Sequence, residues 1–200
     1  MKRLSPAFII VVFTMLTGFT SRPGDEVTNY YGISETLNFN GLTYNLSWSS
    51  HPNDTYYKQE YIPKDNTADH FKDMVMIDFI ITDIPVEKAV AAQIATIKER
   101  KKTDIVCNYK VLSNKDNPGN YILDFIMSEG NGGDVNLVEW SAYHYKAYTD
   151  KAGHKGVLLF SICHRAYDNA AMDFMKSLHT YRDTNLTQLI KYDVPEIQIK

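Results

Sequence analysis

On both sides of Asn40-Gly41 the chain alternates apolar and polar residues: Leu37 and Phe39 before it, then Leu42, Tyr44, Leu46 and Trp48. A period of two puts alternate side chains on opposite faces of an extended strand. Asn-Gly takes the positive φ angles of a type I′ turn at little cost, so residues 36–48 predict a tight hairpin with one buried and one wet face. A chain that opens this way is committed to a sheet.

The rest of the chain says how the sheet is covered. Residues 56–62 form a short strand ended by Pro63, and the polar stretch 64–73 leaves room for one helical turn around 68–72. Residues 74–81 are apolar on both faces, which predicts a central, covered strand. Asp83 can cap a helix beginning near Pro85, and Val86, Val90, Ile94 and Ile97 then fall on one helical face. Cations crowd its end at 98–102, where the helix dipole favours them.

Four strand-like segments follow at 105–112, 120–128, 136–148 and 156–166, separated by short stretches rich in Pro, Gly, Asn and Asp. Links this short join antiparallel neighbours. Asp168 can cap a second helix whose stripe is Ala171, Phe174, Met175, Leu178 and Tyr181. The predicted fold class is α+β: a mainly antiparallel sheet with two covering helices, a layered sandwich. Residues 36–184 form this single domain, 21–35 read as a linker or flexible arm, and 185–200 as a C-terminal tail.

Residues 1–20 carry a different message. Lys2 and Arg3 precede the apolar run 7–16, and Thr17 to Thr20 form a more polar exit. This is the pattern of a secretory signal peptide, with cleavage expected after Thr20. The run is shorter than the roughly 20 apolar residues of a membrane span, and no later segment supplies one. Removing residues 1–20 takes two bases and no acid, moving the formal net charge from −3 to −5. The expected product is an exported, periplasmic or extracellular protein without an integral membrane span. With 24 acids against 21 bases, it is no nucleic-acid binder.

The order of hairpin, buried strand, helix, four-strand meander and closing helix resembles the PsbP/Mog1-like sandwich over residues 36–182. The segment Tyr57-Lys-Gln-Glu-Tyr-Ile-Pro63, with Phe71 and Met74, is similar to a stretch in uncharacterised secreted bacterial proteins. The first resemblance implies the layered fold and an accessory or binding role. Mog1-like members bind a small GTPase, but this chain shows no motif that would carry that partner over, so the likeness bears on fold alone.

Candidate sites come from polar residues set in apolar strands. Asp78, Asp124 and Glu139 interrupt such strands and Arg165 lies near the end of another, so pairing or a perturbed carboxylate is expected there. Tyr143 and Tyr145 share one face of their strand, with Trp140, His144 and Tyr148 on the other. They either pack under a helix or present an aromatic face to a sugar, peptide or protein. Cys163 and His164 are adjacent, so on a strand they point to opposite faces and cannot form a dyad. Cys107 and Cys163 could be bridged by a disulfide if their Cα atoms lie within about 7 Å.

The weaker signals are local. Asp69, His70 and Asp73 could share a helical turn, and the glycine-rich segment 129–134 reads as a hairpin tip with weak calcium-binding capacity at Glu129, Asn131 and Asp134. No histidine spacing matches a zinc signature, and no cofactor is implied. Two functions remain open. One is an exported, non-enzymatic binding or accessory domain for an unknown protein, peptide or glycan. The alternative is a hydrolase or metal-dependent enzyme assembled from strand-borne carboxylates with His144 or Cys163.

Overall fold

The computed structural model describes residues 27–113, 119–130 and 134–200; the signal peptide expected at 1–20, and Asn131 of the 129–134 loop, lie outside them. Eight strands form one sheet: β1 (Thr36–Phe39), β2 (Leu42–Asn53), β3 (Tyr56–Pro63), β4 (Asp73–Ile81), β5 (Asn108–Ser113), β6 (Tyr121–Glu129), β7 (Leu137–Thr149) and β8 (Lys155–Tyr167). Two helices accompany them, α1 (Val86–Arg100) between β4 and β5, and α2 (Asn169–Lys191) after β8. The sheet order is β1-β2-β3-β4-β8-β7-β6-β5, antiparallel throughout. This is the α+β architecture that the alternation predicts.

Local chemistry fixes the first hairpin. Asn40 has φ 46° and Gly41 φ 80°, the left-handed pair a two-residue turn requires, and Leu42 pairs with Phe39 directly across it. β2 then runs on through His51 and Pro52 to Asn53. Its pairing with β3 is irregular between Ser50 and Asn53, and such an irregularity is where a strand tolerates a residue without an N–H.

Three other local expectations are corrected. Residues 68–72 form bends, not a helical turn, held by Lys72 N–H to Asn66 Oδ1 at 2.7 Å and His70 N–H to Thr67 Oγ1 at 3.2 Å. Asp83 does not cap α1; Pro85 occupies the cap position, and the nearby side-chain bond is Ile84 N–H to Thr82 Oγ1. Asp168 stands at the cap of α2 with φ 47° but makes no side-chain cap bond.

The helices take opposite faces. α1 packs chiefly on β5, β6 and β7, and α2 on β7 and β8. β4 and β8, at the centre of the sheet, are buried on both sides. Val75, Ile77, Phe79, Leu158, Phe160 and Ile162 join the α2-side core, while Met74, Met76, Val157, Leu159 and Cys163 join the α1-side core.

Both ends of the described chain belong to the body. Tyr31 is fully buried; its hydroxyl lies 2.7 and 3.0 Å from the carbonyl oxygens of Tyr57 and Ile77, and its N–H donates to Gln59 Oε1. α2 continues to Lys191, past the expected start of the tail at 185, burying Asn185, Leu186 and Leu189. The segment beyond it then pairs with the arm: Gln198 N–H donates to Tyr31 O and Lys200 N–H to Tyr30 O. With Ile197 fully buried, these segments roof the α2 side of β2–β4.

Candidate functional site

The antiparallel register collects polar side chains on the α1 side. Lys58 faces Asp78 across β3 and β4, and Met76 lies between Glu60 and Ser161. Ser161 pairs with Tyr143, Cys163 with Ser141 and Arg165 with Glu139 across β8 and β7. Period-two alternation puts all of them on one face, so a polar band crosses the central strands diagonally. Lys58, Asp78, Glu139, Ser141, Ser161 and Arg165 are all buried.

Within the band, charges neutralise one another. Lys58 Nζ lies 2.8 Å from Glu60 Oε1. Burial works against the ammonium, but Glu60, Asp78 and Glu139 outweigh it and hold Lys58 above its ordinary range. Tyr56 donates its hydroxyl to Asp78 Oδ1 at 2.5 Å. Burial raises the Asp78 carboxyl above the usual carboxylate range, with Lys58 and the Tyr56 bond offsetting only part of it.

At the other end of the band, Arg165 Nε donates to Glu139 Oε2 at 2.7 Å and Ser141 Oγ to Glu139 Oε1 at 3.0 Å. The guanidinium also stacks over Phe71 at 4.1 Å, a cation–π contact that fixes its plane. Burial pushes the Cys163 thiol well up, and Glu139 beside it pushes further. That setting keeps the sulfur protonated and a poor nucleophile.

The α2 side holds two separate polar sets. Arg182 of α2 grips Asp124 of β6 through two bonds, Nε to Oδ1 and Nη2 to Oδ2, both 2.8 Å. His164 Nδ1 lies 2.7 Å from Asp73 Oδ1, and Tyr181 donates to the same oxygen at 3.0 Å. His144 is held below its ordinary range by burial, then by Lys146, so it stays neutral.

The expected site residues therefore divide. Asp78, Glu139, Arg165, Tyr143 and Tyr145 stand on one face, whereas Asp124 stands on the other and pairs with Arg182, not Arg165. Tyr143 and Tyr145 share a face as expected, but at 8% and 2% exposure they are core, in one layer with Val86, Val90 and Ile97. Of the two expectations for these residues, packing under a helix is the one the structure meets, and they present no open aromatic face.

Cys107 and Cys163 are both free. Cys107 precedes β5, and β6 and β7 separate it from β8, which is too far for a bridge. His70 stacks on Tyr167 at 4.1 Å, while Asp73 turns to His164, so the expected 69–73 cluster does not form. Among the described residues, no three His, Cys, Asp or Glu side chains are grouped to hold a metal ion.

Sequence reasoning missed Tyr56, Lys58, Glu60 and Ser161. The signal was present in residues 56–60, where Tyr56, Lys58 and Glu60 sit at every second position and so share a face. Arg182 gave no comparable signal, because a polar residue beside a helix stripe ordinarily faces solvent.

A family model matches residues 31–194, from buried Tyr31 to just beyond α2. No curated protein and no solved structure matches the chain.

Proposed function

The chain belongs to the uncharacterised family matched over residues 31–194, and we propose that it acts there as an exported, non-enzymatic binding or accessory domain. One observation carries this reading. The carboxylates that a catalytic site would need are divided between the two faces of the sheet and tied up there, Glu139 by Arg165 and Asp78 by Tyr56 on one face and Asp124 by Arg182 on the other. A general acid or base must reach its substrate within hydrogen-bond distance, and groups already tied in buried pairs are poorly placed for that. The PsbP/Mog1-like topology belongs to the same proposal as a reading of the fold alone. Export rests on the signal pattern of residues 1–20.

The test begins with the full chain expressed in a bacterial host that exports proteins. Mass spectrometry of the exported form should give a chain beginning after Thr20. That form is then screened by thermal shift against peptides, oligosaccharides, divalent metals and nucleotides, alongside turnover assays for ester, phosphate, glycoside and peptide hydrolysis. A ligand at 100 times its Kd adds about 2.7 kcal/mol, which is readily resolved. Stabilisation without turnover supports the proposal. Turnover abolished by Glu139→Gln, or retention of residues 1–20 in the cytosol, overturns it.

A further inference from the structure

Among the large apolar side chains of the described residues, Ile105 is the most exposed, at 99%; the next, Ile190 on α2, stands at 57%. Ile105 lies in the turns that join α1 to β5. Single apolar side chains on a surface are ordinary, but this one is held out. Its neighbour Asp104 is buried, and Asp104 Oδ1 accepts from Val106 N–H at 3.0 Å, Cys107 N–H at 3.2 Å and Ser128 Oγ at 2.7 Å. Asp104 Oδ2 accepts from Ser128 N–H at 2.7 Å and Arg100 Nε at 3.4 Å. The turn is thereby pinned to α1 and β6, and folding Ile105 back onto the body would break bonds to a buried carboxylate.

Charge is the second feature. Residues 98–110 hold five cations and two acids, in a chain whose net charge is −3. Both acids are neutralised in place, Asp104 by the bonds above and Glu99 by Lys102 Nζ at 2.6 Å. Lys98, Lys101 and Lys110 are exposed and, among the described residues, make no ion pair. Lys101 reaches to Asn108 Oδ1 at 2.9 Å, and Lys110 follows two residues later on the same side of β5.

These features select the partner. A side chain standing clear of the body on a fixed turn offers an acidic peptide no groove to lie in. A second copy would bring like charges together. An anionic lipid surface meets both parts, with phosphates for the lysines and an apolar layer beneath them for the isoleucine.

We propose that the α1–β5 turn is a membrane-docking tip: Ile105 enters the boundary between headgroups and acyl chains of an anionic phospholipid bilayer, and Lys98, Lys101 and Lys110 meet its phosphates. The attachment is peripheral, and among the described residues no helix is long and apolar enough to cross a membrane. One apolar side chain and three cations make a weak, reversible contact that salt screens. Such docking goes beyond the binding-domain reading, because it places the domain at a surface whatever the domain binds.

The exported protein, checked by mass to lack the apolar run at 7–16, is sedimented with two kinds of vesicle: phosphatidylcholine alone, and phosphatidylcholine mixed equally with phosphatidylglycerol. Association with the mixed vesicles only is expected, and it should fall as sodium chloride is raised. Ile105→Ser, and separately the pair Lys101→Gln, Lys110→Gln, should each weaken it by about tenfold. Neither change should move the unfolding temperature, because all three side chains are exposed. Ile105→Trp should bind at least as well, with tryptophan fluorescence shifting to the blue on the mixed vesicles. No association with the mixed vesicles, equal association with the neutral ones, or binding indifferent to both the isoleucine and the lysine changes overturns the proposal. So does capture by poly-glutamate with no affinity for the mixed vesicles. Each of these outcomes leaves the ligand screen, and the binding domain it tests, standing.

Discussion

Glu139 Oε2 accepts a 2.7 Å hydrogen bond from Arg165 Nε across β7 and β8, while its Oε1 accepts from Ser141 Oγ at 3.0 Å. Both charged side chains are under 10% exposed, so neither can turn to water if the other is lost. Glu139→Leu alone should therefore cost about 3–5 kcal/mol in urea unfolding. The double replacement Glu139→Leu, Arg165→Met removes both charges and should recover most of that loss. A double variant as unstable as the single one would show that the pair itself stabilises the fold.

The Asp124–Arg182 contact tests how α2 is held to the sheet. Two parallel bonds of 2.8 Å tie the helix to β6, an edge-proximal strand that α2 otherwise contacts little. Lysine keeps the charge but cannot reproduce the planar fork, so Arg182→Lys should cost about 1 kcal/mol. Amide exchange in the middle turns of α2 should accelerate in parallel, with the β4 and β8 amides unchanged. Exchange that speeds up evenly across the sheet would count against a local clamp.

Two buried acids should give pH dependences of opposite sign. For Asp104, burial alone would raise the carboxyl, but the N–H and hydroxyl of Ser128 at 2.7 Å and the N–H of Val106 at 3.0 Å outweigh it and hold the group low. Its contribution is full above the unfolded value of about 3.9 and is lost as pH falls through the lower folded value. Asp78 is raised, chiefly by burial. Its contribution is full below about 3.9 and is lost as pH rises through the folded value. At pH 7, Asp78→Asn should raise the unfolding temperature and Asp104→Asn should lower it. Both differences should shrink at pH 3, and shifts of one sign in the two variants would contradict these assignments.

What the sequence disclosed follows from how local each signal is. The Asn40-Gly41 turn and the period-two strands report on side chains a few residues apart, and these were legible. The terminal segments were not, because Tyr31 and Ile197 are held by partners at least 26 residues away, and a lone aromatic in a polar stretch carries no period. The same distance hid the pairing of Asp124 with Arg182, which joins β6 to the far half of α2. Glu139 and Arg165 were recognisable as polar residues in apolar strands, but only the β7–β8 register makes them partners.

The two cysteines offer a chemical check on that register. Cys107 lies in the turn before β5, its thiol directed at Ile97 O at 3.6 Å, while Cys163 lies in β8 opposite Met74 and Ser141. Three strand spacings of about 4.8 Å separate β5 from β8, roughly 14 Å in all, twice the Cα separation a disulfide can span. Both thiols are buried and both are pushed above their ordinary range, first by burial. The native protein should therefore resist a thiol reagent for hours, and denaturation without reductant should release two reactive thiols. Exported material that gives no thiol under those conditions would mean a Cys107–Cys163 bridge, and with it a sheet in which β5 does not follow β6 and β7.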